Sequence, residues 1–134
     1  MQVLLLLANA PDAWGSGVAT PGDDVIDDWT AYTLALHEAG VLVYGAGLEA
    51  PNRATTVRHR HGKRVLTDGP FTETKEHLIG FYVLDVPTLD DAHRWAARVP
   101  NVRSGSVEVR PLSPGQTTTE TLAAHRAVRS APMP

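Results

Sequence analysis

The chain has 134 residues, of which 43% are hydrophobic and 20% charged, and its formal net charge is −3. These values are typical of one globular domain with its own core and exclude a disordered chain. The acidic balance argues against nucleic acid as a partner, and the absence of cysteine excludes disulfides, thiolate metal sites and a cysteine nucleophile.

The chain begins with a Leu-rich run over residues 2–8. The run is too short for a signal peptide and lacks the basic residues that precede one. No apolar stretch approaches the roughly 20 residues of a membrane span. We therefore expect a first strand with both faces covered, in a cytoplasmic protein that does not contact the membrane.

An amphipathic helix is predicted next, between the Pro- and Gly-rich loop that ends at Gly22 and the helix stop at Gly40. Its apolar face recurs at steps of three and four residues: Val25, Ile26, Trp29, Thr33 and Leu36. The four aspartates at its start suggest a metal cluster, but the simpler interpretation is a solvated helix start favoured by the dipole.

A second strand is predicted over Val41–Tyr44, with a bend at Gly45–Gly47. A hairpin follows over 55–60 and 63–67, with His61-Gly62 at its tip. His59 and His61 would share one face of an extended strand, yet no acidic residue lies within this hairpin to complete a metal site. The basic run around them also lacks the aromatic residues of single-strand binders. We predict a charged hairpin tip, with no metal and no nucleic acid.

The last three elements are a strand over Ile79–Val86, a helix capped at Thr88 that runs to about Arg98, and a strand over Gly105–Pro111. The element order is β-α-β, hairpin, β-α-β, which predicts an α+β, ferredoxin-like domain over residues 1–112. Residues 113–134 are predicted as a C-terminal tail with one short helix over 120–129.

Several motifs now resemble those of the YCII-related, or DGPF, family of small bacterial proteins. The resemblance extends from Met1 to about Leu112. The motifs that carry it are His37-Glu38-Ala39-Gly40-Val41-Leu42, Gly45-Ala46-Gly47-Leu48, the stretch Val65 to Glu76 with Asp68-Gly69-Pro70-Phe71 at its centre, Gly80-Phe81-Tyr82, Asp85-Val86 and Gly105 to Pro111.

The resemblance implies a homodimer in which two ferredoxin-like sheets form a dimeric α/β barrel. That superfamily includes muconolactone isomerases, small monooxygenases and polyketide-tailoring enzymes, and some DGPF genes lie beside sigma factors. Relatives of the YciI type are thought to use a His/Asp pair, with the histidine on the first helix. In this chain Trp29, not histidine, stands near that position.

Two residues are candidates for acid–base chemistry. Asp68 either closes an Asx-turn at Gly69-Pro70 or serves as a general base at the rim of a pocket. His37 either interacts with the negative end of its helix or acts as the proton donor or acceptor.

A ligand pocket is expected between the sheet and the helices, with Trp29, Tyr44 and Phe81 as its walls. Phe71 is expected to anchor the loop after Gly69-Pro70. Glu73 and Lys75 either belong to a solvated loop or helical turn or are directed by this anchor toward the ligand, where Lys75 would hold an anionic group.

Two functions follow from these candidates. The first is an enzyme without a cofactor, an isomerase/cyclase or a lyase, since the sequence has no nucleotide-binding or metalloenzyme motif. The second is a non-catalytic module that binds a small molecule or regulates a partner, linked by the resemblance to sigma-factor-dependent transcription.

Overall fold

The computed structural model describes residues 1–10, 24–70 and 76–132, and of residues 24–27 it describes the backbone alone. Two short 3-10 turns are present, Pro51–Arg53 and Pro100–Arg103. The regular elements in these ranges are β1 (Gln2–Asn9), α1 (Asp24–Glu38), β2 (Leu42–Gly47), β3 (Thr55–Arg60), β4 (Lys63–Asp68), β5 (His77–Asp85), α2 (Leu89–Ala96), β6 (Gly105–Pro111) and α3 (Thr118–Ser130).

Four strands form one antiparallel sheet in the order β2-β5-β1-β6. Helix α1 connects β1 to β2, and α2 connects β5 to β6. Among the described residues, strands β3 and β4 pair only with each other, as a hairpin inserted between β2 and β5. This arrangement confirms the ferredoxin-like α+β fold expected from the element order.

The core lies between one face of the sheet and helices α1 and α2. Burial alternates along β1, where Val3, Leu5 and Leu7 are buried and their neighbours are only half-buried. The buried side chains pack against residues of both helices, among them Leu36 and Ala92. Within the described residues the helices cover one face of β1, and the expectation that both faces are covered stays a prediction.

An aromatic layer joins the two helices to the sheet. The ring of Tyr32 meets those of Tyr82 and Trp95 edge-on, at centroid distances of 5.4 and 6.3 Å. The Tyr32 hydroxyl donates to the Trp95 carbonyl at 2.9 Å, and Thr33 and Tyr82 share a hydroxyl–hydroxyl bond of 2.9 Å. Burial raises the pKa of Tyr32 well above its usual value, the nearby Tyr82 adds to the rise, and Arg98 opposes it.

Strand β2 continues through the glycines that were predicted to bend it. A Cβ built on Gly45 would lie 2.5 Å from Cδ1 of Tyr82, and one built on Gly80 would lie 2.8 Å from the Ala46 carbonyl oxygen. The glycines therefore allow the Tyr82 ring and the neighbouring backbone to approach closely. The prediction of a bend at Gly45–Gly47 is wrong, since the strand continues to Gly47 and the missing side chain of Gly45 makes room for the Tyr82 ring.

The hairpin tip and the start of α2 lie where the sequence predicts them. His61 and Gly62 have φ values of 52° and 75°, as a type I′ turn requires. Thr88 caps α2 by accepting a hydrogen bond from the Asp91 N–H at 3.2 Å. The helix ends at Ala96 rather than Arg98, and Val99 is extended because it precedes Pro100.

Helix α3 lies beyond the sheet and is longer than predicted. Thr117 caps it through the Glu120 N–H, and every residue from Thr118 to Ser130 is exposed. The division into a domain over 1–112 and a tail over 113–134 stays a prediction. Among the described residues, no helix combines the length and apolar character needed to span a bilayer.

Candidate functional site

The sheet face that carries no helix holds a cavity of about 1000 Å³. Leu6 and Ala8 of β1 line it, and they alternate with the core residues of the same strand. Leu78 lines it from β5. The surface there is mostly apolar, which suits a small organic ligand.

A polar wall stands beside this apolar floor on β6. In the pairing of β1 with β6, Ala8 lies opposite Ser106 and Leu6 lies opposite Glu108. Ser106, Glu108 and Arg110 all line the cavity. The alternation predicted for β6 is confirmed, since Val107 and Val109 pack against the core on the other face.

One hydrogen bond and one ion pair involve the side chains of this wall. The Ser106 hydroxyl donates to Oε2 of Glu76 at 2.5 Å, across the end of β1. Arg110 Nη2 lies 2.6 Å from Glu108 Oε2, and the two side chains are 67% and 53% exposed. An ion pair this exposed contributes at most about 1 kcal/mol, so a ligand can exchange with either partner at low cost.

The start of β6 is held by Asn101, which is only 3% exposed. Its amide nitrogen donates to the carbonyls of Ala8 and Ser106, both at 3.2 Å. Between them, a Cβ on Gly105 would lie 2.0 Å from the Ala8 carbonyl oxygen. The close approach of the two strands therefore fixes where Ser106 meets Glu76.

The opposite wall is the segment from Leu48 to Ala54, together with Pro70. Arg53 Nε lies 3.3 Å from Glu49 Oε2 on this wall. At the base of the hairpin, the Gly69 N–H donates to the Ala54 carbonyl at 2.8 Å, and the Thr56 hydroxyl donates to the Gly69 carbonyl at 2.7 Å. The hairpin base thus closes one side of the cavity.

Known sequences identify the domain that carries this cavity. The profile of the YCII-related domain matches residues 1–116, which is most of the chain. The chain belongs to the YCII-related family. Its Asp68-Gly69-Pro70 motif lies where β4 ends, and Pro70 lines the cavity.

Two individual proteins are similar to this YCII-related chain. It is 43% identical over 91 residues to the uncharacterized protein R00369 of Rhizobium meliloti (strain 1021), covering 66% of this chain and 73% of that protein. A solved structure of 5-chloro-2-hydroxyhydroquinone dehydrochlorinase from Burkholderia phenoliruptrix AC1100, in complex with 2,5-dihydroxybenzoquinone, matches with a TM-score of 0.43 and 15% identity. That match covers 84% of this chain and 94% of the other. At this distance the likeness says nothing about the chemistry of this chain.

The two predicted catalytic residues lie in different layers. His37 is exposed in the last turn of α1, on the helical side of the sheet. Asp68 is exposed at the end of β4, in the hairpin. Neither lines the cavity. The turn at Gly69 carries the backbone and Thr56 bonds already described, and the Asx-turn of Asp68 stays a prediction.

The predicted ligand pocket is divided by the sheet. Trp29 packs against the core beneath the helices. Tyr44 and Phe81 share the helix-free face, with ring centroids 6.0 Å apart. The expectation of one pocket between sheet and helices that includes all three is wrong, because successive residues of β5 point to opposite faces and Tyr82 fills the helical side.

Three further candidates, Phe71, Glu73 and Lys75, lie outside the described residues. The predicted pair of histidines on one hairpin face does not form, because His61 stands in the turn while His59 is paired with Arg64 in the strand. Within the ranges that the structure describes, no three His, Asp or Glu side chains converge as a metal site.

The site residues that sequence reasoning missed are Glu76, Ser106, Glu108 and Arg110. Three of them alternate with valines on β6, a pattern that marks one polar face of a strand. Such a polar strand face is ordinarily solvent-exposed, so the pattern alone does not indicate a site. Only the sheet order, which places β6 beside β1, shows that this face borders an apolar cavity.

Proposed function

We propose that the chain binds a small, largely apolar organic molecule in the cavity on the helix-free face and moves a proton on it, as an isomerase/cyclase or lyase that needs no cofactor. The single observation that carries this proposal is the Glu76–Ser106 contact at the edge of an apolar cavity of about 1000 Å³. A carboxylate held by a hydroxyl beside an apolar floor is suited to accept a proton from a bound carbon or oxygen acid.

The apolar floor supplies affinity in this proposal. Leu6, Ala8 and Leu78 offer surface whose burial is worth roughly 25 cal/mol per Å². The polar groups then orient the ligand, since each buried polar atom of the ligand must find a partner on the β6 wall. A ring or short chain bearing one carbonyl or hydroxyl fits this division.

The proposed proton transfer balances within the site. The C–H bond next to a ligand carbonyl breaks, the proton passes to the Glu76 carboxylate, and the electron pair moves to the carbonyl oxygen as an enolate. Arg110, on the same wall, is the cation that would offset the new charge through N–H groups not used by Glu108. Return of the proton to another carbon, or loss of a leaving group, completes an isomerisation or an elimination.

Most of the other residues predicted to contact the ligand remain ligand contacts in this proposal. Tyr44 and Phe81 extend the same sheet face, and Phe71, Glu73 and Lys75 directly precede Glu76 in the chain. Asp68 is two residues from Pro70, which lines the cavity, and it serves best here as an orienting group at the rim. His37, on the helical side, has no part in the proposed transfer.

We also propose that the chain acts as a homodimer in the cytoplasm. Tyr44 is 61% exposed on the helix-free face, and Leu78 and Leu48 are exposed beside the cavity. A second copy covering this face would remove that apolar surface from water. The cytoplasmic location rests on the lack of cysteine in the sequence.

The second candidate is a non-catalytic ligand-binding or regulatory module, including the link to sigma factors that family resemblance suggests. The helix α3 supports it, since every residue from Thr118 to Ser130 is exposed and the helix is accessible to a partner protein.

Binding is tested with 2-tetralone, an apolar bicyclic ketone with acidic C–H bonds, in an NMR titration of the ¹⁵N-labelled protein. Saturable shifts of the Leu6, Leu78 and Ser106 amides would support the pocket. Saturable shifts confined to residues of the helical layer would reject it.

A further inference from the structure

A second, smaller cleft lies on the helical side of the sheet, away from the cavity described above. Its volume is about 230 Å³. Asp28, Ala31 and Tyr32 of α1 form one side, and Arg98, Pro100 and Arg103 form the other. We propose that this cleft is a binding site for a phosphate group, held by Arg98 and Arg103.

Arg98 and Arg103 differ from three other arginines of the chain, which form ion pairs. Arg53, Arg94 and Arg110 each have a carboxylate oxygen within 3.3 Å. In the part of the chain that the structure describes, Arg98 and Arg103 form no ion pair, although both line one cleft. Two guanidinium groups on one cleft, with no ion pair among the described residues, match the oxygen atoms of a phosphate.

Both arginines lie in segments whose backbone or side chain is fixed by contacts with the core. The Arg98 guanidinium lies 4.5 Å from the centroid of the Trp95 ring, and that ring contacts Tyr32 in the core layer. Arg103 ends the turn that Pro100 begins and that the buried Asn101 fastens to β1. The Arg98 side chain therefore loses less entropy when an anion binds than a freely moving arginine would, and the backbone that carries Arg103 is fixed.

Asp28 gives the cleft a preference among anions. It is the one acidic side chain among the described residues that line the cleft, and these residues carry two positive charges and one negative charge. A phosphate that keeps a proton can accept hydrogen bonds from the guanidinium groups and donate one to a carboxylate. Sulfate has no proton to donate near neutral pH, so its oxygens would only be repelled by the Asp28 carboxylate. The cleft should therefore select phosphate over sulfate.

The test is an NMR titration of the full chain at about pH 6 with potassium phosphate or potassium sulfate, at constant ionic strength. The probes are the Trp95 indole N–H and the Arg98 Nε–H. We expect saturable shifts with phosphate and affinity for sulfate weaker by about tenfold or more. Arg98→Gln and Arg103→Gln should each weaken phosphate binding about tenfold, and Asp28→Asn should reduce the preference over sulfate.

Arg94→Gln is the matched control, because Arg94 lies in α2, four residues before Arg98, and is paired with Asp91. It should bind phosphate as the wild type does. Equal shifts with both anions, or unchanged binding by Arg103→Gln, which is exposed and should fold normally, would overturn the proposal. A parallel titration with glycerol 3-phosphate identifies the source: tighter binding than inorganic phosphate assigns the site to a phosphate ester, and weaker binding assigns it to the free ion.

Discussion

Ser106 Oγ lies 2.5 Å from Glu76 Oε2, so the start of β6 and the residue before β5 are joined on the helix-free face of the sheet. The two residues are 30 positions apart in the chain. Their meeting depends on β1, which lies between β5 and β6, and on Asn101, which ties β6 to the end of β1. The candidate site is therefore built by strand order rather than by a contiguous motif.

Replacing Gly105 with alanine should disrupt this junction. The new Cβ would lie 2.0 Å from the Ala8 carbonyl oxygen, and backbone atoms cannot move aside cheaply. We expect a loss of about 3 kcal/mol in the free energy of unfolding, measured by urea denaturation. Gly47→Ala is the matched control, because its Cβ would meet nothing closer than 4.0 Å. Equal stability of the two variants would contradict the close strand approach.

Tyr32 should make stability fall at high pH. Its pKa is raised by burial in the folded state, whereas the unfolded chain ionises near the ordinary value of about 10. The unfolded state therefore releases a proton first, and the free energy of unfolding declines as the pH rises above about 10. Urea denaturation between pH 8 and 11 should show a shallower decline for Tyr32→Phe than for the wild type. Parallel curves would show that Tyr32 does not contribute.

Tyr32→Phe, which removes the hydroxyl, should also lower the free energy of unfolding at neutral pH. The Trp95 carbonyl would lose its 2.9 Å donor in a partly buried place, at a cost of about 1 kcal/mol. The comparison is made at pH 7, where tyrosine ionisation does not contribute. A variant as stable as the wild type would mean that water replaces the hydroxyl.

Thr88→Ala should weaken the start of α2. The Thr88 hydroxyl oxygen accepts from the Asp91 N–H at 3.2 Å, and loss of such a cap costs about 1 kcal/mol. Thr30, exposed within α1, provides the control. Thr30→Ala should change the midpoint of thermal unfolding little, whereas Thr88→Ala should lower it by several degrees. Similar midpoints for both variants would argue against the cap.

Tyr44→Asp should separate the proposed homodimer. A carboxylate on the exposed helix-free face would have to be buried, unpaired, when a second copy covers that face. Light scattering should give a dimer mass for the wild type and a monomer mass for the variant at micromolar concentration. Leu34→Asp, at a similarly exposed position on α1, should remain dimeric. A monomeric wild type would remove the basis of the proposal.

The fold was largely predictable because its signals are local. The alternation on β6, the Thr88 cap and the His61-Gly62 turn each express a preference of a few adjacent residues. The glycines of β2 predict a bend, but Gly45 instead admits the Tyr82 ring, a contact between strands that are distant in the sequence.

The site was less predictable for the same reason. Asp68 and His37 were chosen by residue type and family motif, but the cavity is bordered by Glu76, Ser106 and Arg110. These residues come together only through the sheet order and the bulge that shifts the register between Leu7 and Ala8. Single-sequence periodicity assigns a residue to a face of its own strand, but it does not tell which faces meet.

Proton abstraction itself tests the central claim most directly. The wild type, Glu76→Gln and the control Glu38→Gln, which changes an exposed glutamate of α1, are incubated with 2-tetralone in D₂O, and deuterium incorporation is followed by ¹H NMR. We predict exchange above the buffer rate for the wild type and Glu38→Gln, and a loss of about 100-fold or more for Glu76→Gln. Saturable binding of 2-tetralone without exchange above the buffer rate, or full exchange by Glu76→Gln, would contradict the proposed role of Glu76.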